Sequence, residues 1–281
     1  MFEHFGPVNM AEASEAPLHV RMLGYPQIIW NGSPLAVPRR QARALVYRLA
    51  AHLAPVPRAE LFYLFWPDQP ETSAHRDLSH LLTHLRRAFP VPDILLTDME
   101  IVSLNPARVW VDTLALEKAL SPAPDGARLA MLRLAVDLYR GSFLANFSLA
   151  REPEVDVWIA QEQIIWERRY LEALRALMLL EAESGNLSSA MALAERYLAT
   201  DNLAEDIHRH LITLYAARGE RALAQRQFER CADALQRELG LRPLPETVAA
   251  YHAALAGTGR LSATTQRGIT GNPEILSPKL V

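Results

Sequence analysis

Cysteine is almost absent from this chain of 281 residues, in which Cys231 is the single thiol. One cysteine excludes an internal disulfide and any structural zinc site built on several cysteines. Arg or Glu interrupts every long apolar run, so no segment reaches the ~18 residues that a membrane-spanning helix needs. The first 17 residues contain three Glu and neither Lys nor Arg, so they lack the basic start of a secretory signal. We therefore expect a soluble protein of the cytoplasm that has no membrane partner.

Catalytic signatures are also missing. The chain contains no G-x-S-x-G motif, no glycine-rich phosphate loop and no H-E-x-x-H motif. His80 and His84 are four residues apart, a spacing that can place two imidazoles on one metal ion. No third ligand is evident beside them, so we predict no metal site, no cofactor and no enzymatic activity.

Positive charge is concentrated in one block of the chain. Residues 39–89 contain eight arginines and four acidic residues, whereas the remaining residues have a net charge of −7. A basic block on an acidic remainder is typical of a module that binds a polyanion. Ordinary solvated surface explains the charge alone equally well, so the order of secondary-structure elements must decide between the two interpretations.

That order predicts a winged helix-turn-helix in the N-terminal half. Strand-like segments at 18–23 and 27–30 precede Asn31-Gly32, the strongest short hairpin signal, and a third strand at 35–37 follows it. Three helical stretches follow, at about 38–53, 57–66 and 73–89, each ended by a proline-containing segment. A second hairpin then joins 94–96 to 101–104 across Asp98 and Glu100. This succession of sheet, three helices and hairpin defines the fold.

Helices alone are predicted from Asp112 onward, with Asp112 and Asp125 as N-caps. The helical stretches lie at about 153–184, 188–200, 204–218, 220–239 and 246–255. Gly185-x4-Ala190 and Gly219-x4-Ala224 are 34 residues apart, which is the tetratricopeptide period. We predict a mostly α-helical chain with a small β component, divided into a flexible tail (1–16), a winged helix-turn-helix domain (17–111), a tetratricopeptide-like domain (112–256) and a second flexible tail (257–281).

The third helix of the basic block has two distinct faces. Five apolar residues form one face: Leu78, Leu81, Leu82, Leu85 and Phe89. The opposite face presents Arg76, His80, Thr83 and Arg87, residue types that can read base edges in the major groove. Arg39, Arg40 and Arg43 at the start of the first helix suit contacts with phosphates, which set register without reading sequence.

These residues belong to a series of motifs that resembles a known family. Three stretches resemble the DNA-binding domain of the SARP-type bacterial transcriptional activators: PRRQARAL at 38–45, AEL at 59–61 followed by FWPD at 65–68, and the helix that ends in LRRAF at 85–89. The remainder resembles the bacterial transcriptional activator domain that follows it in that family: VWVD at 109–112, LYRGSFL at 138–144, ELGLRP at 238–243 and PET at 245–247. The resemblance covers about residues 17–256.

The resemblance implies an activator that binds promoters, often at direct repeats, with a helical domain for self-association or regulation. By position it assigns base reading to His80, Thr83, His84 and Arg86. The chain departs from the family in two places, because the family commonly has Arg where His84 stands and carries basic residues and Gly on its wing. We expect as partners double-stranded promoter DNA, a second copy of the chain and RNA polymerase.

Two functions remain open at this point. The first is a sequence-specific DNA-binding transcription regulator that reads the major groove with residues 73–89. The second is a helical-repeat adaptor whose degenerate winged helix contacts proteins. The arginine cluster favours DNA, whereas acidic residues at the wing tip favour the adaptor because phosphates repel them.

Overall fold

The computed structural model describes residues 16–122, 126–150 and 152–257. The chain divides into two compact units, Met1–Leu177 and Met178–Val281. Apart from Ala16 and Gly257, the two predicted tails lie outside the described residues, and so does the predicted N-cap Asp125.

The described residues form seven short strands and ten α-helices. The strands are β1 (Leu18–Arg21), β2 (Gln27–Trp30), β3 (Ser33–Pro34), β4 (Val56–Pro57), β5 (Leu95–Thr97), β6 (Ile101–Leu104) and β7 (Val109–Val111). The helices are α1 (Arg40–Ala50), α2 (Arg58–Phe65), α3 (Glu71–Ala88), α4 (Asp112–Leu120), α5 (Arg128–Leu138), α6 (Pro153–Glu183), α7 (Leu187–Thr200), α8 (Glu205–Ala217), α9 (Arg221–Leu239) and α10 (Pro245–Ala256).

The first sheet has the strand order β3-β2-β1-β7. Asn31 and Gly32 both have positive φ, 45° and 80°, as a primed two-residue turn requires, so the predicted hairpin is confirmed. Its second strand is shorter and earlier than predicted: Ser33 already pairs with Trp30, and the prediction of a strand at 35–37 is wrong. After a tight two-residue turn, strand pairing begins at the very next residue. The apolar run at 35–37 instead suggested that the strand begins later.

The winged helix follows this sheet. The four leucines of this face of α3 and Phe89, which follows the helix, are all buried at 6% exposure or less, and they pack the helix into the N-terminal core. The strands β5 and β6 form the wing, and β4 joins them in a second sheet of order β4-β6-β5. Sheet, three helices and wing thus form the predicted fold.

The junction with the helical part is a strand rather than a linker. Residues 109–111 pair in parallel with β1. The N-cap of α4 is Val111, not Asp112 as predicted. The buried Asp112 carboxylate instead accepts hydrogen bonds of 2.9 Å from the backbone N–H groups of Met22 and Leu23. Burial raises the pKa of Asp112, and these bonds and the Arg140 guanidinium oppose that rise.

The LYRGSFL segment at 138–144 docks on the end of β1. The N–H of Leu144 donates to the carbonyl of Met22 at 2.7 Å, and the N–H of Gly24 donates to the carbonyl of Ser142 at 3.2 Å. A Cβ on Gly24, which has φ +115°, would lie 3.3 Å from the backbone of Arg140. The motif therefore fixes the start of the helical part to the winged helix.

The second unit contains stacked helices. α8 packs against α7, α9 and α10. Gly185 and Gly219 have φ values of 80° and 77° in the turns before α7 and α9, while Ala190 and Ala224 are fully buried. Both glycines therefore make turns and both alanines are buried, as the 34-residue spacing leads one to expect.

Candidate nucleic-acid interface

The outer face of α3 is polar and open to solvent. Arg76, His80, Thr83 and Arg87 are all exposed, on the side opposite the buried leucines. The Thr83 hydroxyl donates to the carbonyl of Ser79 at 2.8 Å, and its oxygen keeps the capacity to accept a hydrogen bond. This face can therefore offer donors, an acceptor and an apolar group to base edges.

Cationic side chains from two helices meet on this face. Arg39, at the N-terminus of α1, lies close enough to His84 to affect its titration, together with Arg87 and His80 of α3. Loss of hydration and these three neighbouring charges hold the pKa of His84 below its ordinary value. Neither Arg39 nor Arg87 forms a side-chain hydrogen bond or an ion pair within the described part of the chain. We call Arg39, His80, His84 and Arg87 the cationic patch.

The other predicted arginines are engaged with neighbouring groups. Arg43 donates to the backbone carbonyl of Val37 at 3.1 Å. The Arg40 guanidinium lies over the ring of Phe147, 5.1 Å from its centroid. Arg86 donates to the hydroxyl of Thr97 on the wing. The guanidinium groups that remain accessible to a ligand are therefore those of Arg39, Arg76 and Arg87. Of these, Arg76 lies 3.6 Å from the carboxylate of Asp77.

The wing tip is an acidic turn in which the carboxylate of Asp98 binds the backbone of the turn itself. Asp98 accepts hydrogen bonds from the N–H groups of Ile101 at 2.8 Å and Glu100 at 2.7 Å, which hold the pKa of Asp98 below its ordinary value. Arg58 donates to the Asp98 carbonyl at 3.0 Å. Sequence reasoning missed Arg58 as a wing residue, because only the pairing of β4 with β6 brings it there.

A buried carboxylate of α6 contacts His52, two residues after the end of α1. Glu162 accepts hydrogen bonds from Trp166 at 2.9 Å and Trp158 at 3.2 Å, and it lies 2.9 Å from the His52 Nε2. Burial acts to raise the pKa of Glu162, but these three partners hold it below its ordinary value. The hydrogen bond to Glu162 in turn raises the pKa of His52. The helix that presents Arg39 is therefore held at its other end by α6.

Other kinds of site find no support in the part of the chain that the structure describes. No group of three or more His, Cys, Asp or Glu side chains is arranged there to hold a metal ion. None of the described helices has the length and apolar character needed to cross a membrane. Cys231 is buried, and burial raises the pKa of its thiol to about 12, which makes it a poor nucleophile at neutral pH.

Comparison with known proteins places the chain in a family and gives a likeness to a solved structure. The family model of the bacterial transcriptional activator domain matches residues 114–255, about half of the chain. Among solved structures, Mycobacterium tuberculosis EmbR in complex with a low affinity phosphopeptide superposes with a TM-score of 0.61 and 20% identity, over 85% of this chain and 65% of that chain. At this identity the likeness concerns the fold. This chain spans about two thirds of the EmbR chain. No curated protein matches.

Proposed function

Because the chain belongs to the bacterial transcriptional activator domain family of SARP-type regulators, we propose that it binds promoter DNA sequence-specifically and activates transcription. In this proposal residues 17–111 bind the DNA. Residues 112–256 serve self-association or regulation, and RNA polymerase is a further partner. The family consists of transcription regulators, and the chain acts here as a binding protein, with no reaction of its own.

One observation supports DNA binding most strongly, namely the cationic patch. Arg39 stands at the N-terminus of α1, while His80, His84 and Arg87 belong to α3, and Arg39, His80 and Arg87 lie close enough to His84 to lower its pKa. The guanidinium groups of Arg39 and Arg87 are like charges that repel, so placing both near His84 costs free energy unless an anion binds there. Double-stranded DNA is a polyanion whose major groove accepts a helix of this width.

The two kinds of contact fall to different residues. Arg39 and Arg87 neutralise phosphates and set the register of α3, since their guanidinium groups are unengaged among the described residues. His80, Thr83 and His84, with Arg76 beside them, face base edges. Arg86 stays close to the wing through Thr97 and reaches the backbone from there. Arg40 and Arg43 position α1 through Phe147 and Val37 rather than bind phosphates directly.

A second candidate function is the protein-binding adaptor. Asp98 and Glu100 at the wing tip and the 90% exposed Met99 between them favour a protein surface over a phosphate backbone. Only the wing supports this candidate, whereas the cationic patch opposes it.

Binding to duplex DNA separates the two functions. We expect the chain to bind a labelled random-sequence duplex at low salt, and to enrich a defined motif from a pool of random duplexes. Thr83→Ala should relax the base preference at one position of that motif and leave the salt dependence unchanged. Thr72→Ala, at an exposed threonine in the first turn of α3, is the matched control. Failure to bind any duplex at low salt would favour the adaptor.

A further inference from the structure

A small pocket lies in the second compact unit, where the end of α7, the start of α8 and one face of α9 meet. Its volume is about 190 Å³. A water molecule takes up ~30 Å³ in the liquid, so the pocket has room for a molecule of roughly six to nine non-hydrogen atoms. Leu198 and Ala234 supply the apolar part of its lining, and both are buried.

The buried polar wall of this pocket is uncharged. His208 lines the pocket and is 3% exposed. The amide oxygen of Gln227 accepts a hydrogen bond from Arg230 at 3.2 Å, so its amide nitrogen donates to the His208 Nδ1 at 2.6 Å. The His208 Nε2 therefore carries the proton and donates to the carbonyl of Asn202 at 3.0 Å. Burial lowers the pKa of His208, which keeps the imidazole neutral.

The charges at the rim of the pocket come from one face of α9. Arg230, Asp233 and Arg237 are exposed and line the pocket. Opposite charges three or four residues apart on a helix commonly pair. Within the described part of the chain, however, Asp233 and Arg237 form no side-chain hydrogen bond or ion pair, and Arg230 donates to Gln227 alone. The rim therefore presents two guanidinium groups and one carboxylate that lack a charged partner.

The other acidic groups around the pocket are already bound. Glu238 accepts a hydrogen bond from the Asn202 side chain at 2.8 Å. Asp201 and Glu205 accept hydrogen bonds from backbone N–H groups at 3.1 and 2.5 Å. Asp233 is therefore the carboxylate that stays available to a ligand, beside the two guanidinium groups.

We propose that this pocket binds a free α-amino acid with a small apolar side chain, such as valine. The carboxylate of the amino acid meets the guanidinium groups of Arg230 and Arg237, which suit its two oxygens. Its ammonium group meets Asp233, and its side chain packs on Leu198 and Ala234. A plain carboxylic acid would leave Asp233 without a cation, and an amine would leave both guanidinium groups without an anion. A zwitterion complements the charges of both signs.

This proposal deepens the regulatory role proposed for residues 112–256 and rests on that role only for its consequence in the cell. Binding of the amino acid is measured on the full chain without DNA, and binding of DNA is measured without the amino acid, so either can fail alone. A ligand of about eight non-hydrogen atoms has little surface to bury, so we expect a dissociation constant of about 1 mM.

Saturation-transfer difference NMR, which observes the ligand, tests the charge pattern with three molecules that share one branched skeleton. L-Valine carries both charged groups, 3-methylbutanoate lacks the ammonium group, and 2-methylpropylamine lacks the carboxylate. We expect saturable binding of L-valine and at least about tenfold weaker binding of the other two molecules. Equal binding of either analogue would overturn the proposal, and so would the absence of saturable L-valine binding up to about 20 mM.

Substitutions at the rim test the site itself. Asp233→Asn and Arg237→Gln should each weaken L-valine binding at least about tenfold, because each removes a charge that the ligand meets. Arg242→Gln is the matched control, because Arg242 is exposed between α9 and α10, outside the pocket, and should leave binding unchanged. Circular dichroism and the melting temperature verify that each variant is folded. Binding that both rim substitutions leave unchanged would place L-valine elsewhere and overturn the proposal.

Discussion

Replacing Arg87 by alanine should weaken DNA binding and reduce its salt dependence, whereas replacing Arg40 should change neither. Arg87 belongs to the exposed cationic patch and is free to meet a phosphate. Arg40 is the neighbour of Arg39 in the chain, but its guanidinium lies over the ring of Phe147. Two arginines that look equivalent in the sequence are therefore expected to differ in function.

The expected magnitude follows from counterion release. Each neutralised phosphate contributes about 0.9 to the slope of log affinity against log salt concentration. A fourfold rise in salt, from 50 to 200 mM, then costs about 3.5-fold in affinity for each phosphate contact. Arg87→Ala should lower the slope by about 1 per bound subunit. Arg40→Ala should instead lower the free energy of unfolding by about 0.5–1 kcal/mol, the value of an exposed cation–π contact.

Fluorescence anisotropy of a labelled random-sequence duplex measures both slopes. A random sequence suffices, because phosphate contacts carry no sequence information. Thermal melting of the free variants measures the effect of Arg40 on stability. Equal loss of slope in Arg40→Ala and Arg87→Ala would refute the assignment, and so would an unchanged slope in Arg87→Ala.

Three further predictions concern histidines and packing. Lost hydration and the nearby Arg39 lower the pKa of His84 in the free protein, whereas bound phosphates would raise it. The affinity for DNA should therefore rise as pH falls from ~8 to ~6. His84→Arg should flatten this pH profile, and a profile that the substitution leaves unchanged would contradict the contact. Glu162 raises the pKa of His52, so their pairing stabilises the fold fully below the ordinary value of ~6.5 and is lost as pH rises through the raised value. The melting temperature should therefore fall between pH ~6 and ~8 more in the wild type than in His52→Gln, and parallel curves would refute this. Ala224→Leu should overpack a fully buried helix contact and cost ~1–3 kcal/mol in the free energy of unfolding, whereas an unchanged melting temperature would argue against that contact.

Local sequence signals were sufficient for most of the winged helix. Asn31-Gly32 specifies its turn because both residues tolerate positive φ, and the leucines of α3 specify their helix face because helical periodicity alone determines which side chains align. Gly185 likewise marks a turn between helices. Each of these features depends on residues close together in the chain, so a pattern over a few residues contains the information.

Contacts between distant segments could not be read in this way. Asp112 precedes a helix and has the identity of an N-cap, yet its carboxylate is bound by the backbone of Met22 and Leu23. Arg40 sits in a run of arginines, but Phe147, more than a hundred residues later, determines where its guanidinium lies. In both cases the sequence identifies a polar group correctly, while its partner depends on tertiary packing.

The contact between the end of α1 and α6 links the helical part to the proposed DNA-binding surface. α1 presents Arg39 at one end and His52 follows its other end, beside the buried Glu162 of α6. A helix of 11 residues is about 16 Å long, so we expect a displacement of α6 at Glu162 to reach Arg39, the member of the cationic patch that stands at the start of α1. If the chain binds DNA as proposed, an effector that shifted α6 would change the DNA affinity by a factor, and DNA would change the affinity of that effector by the same factor.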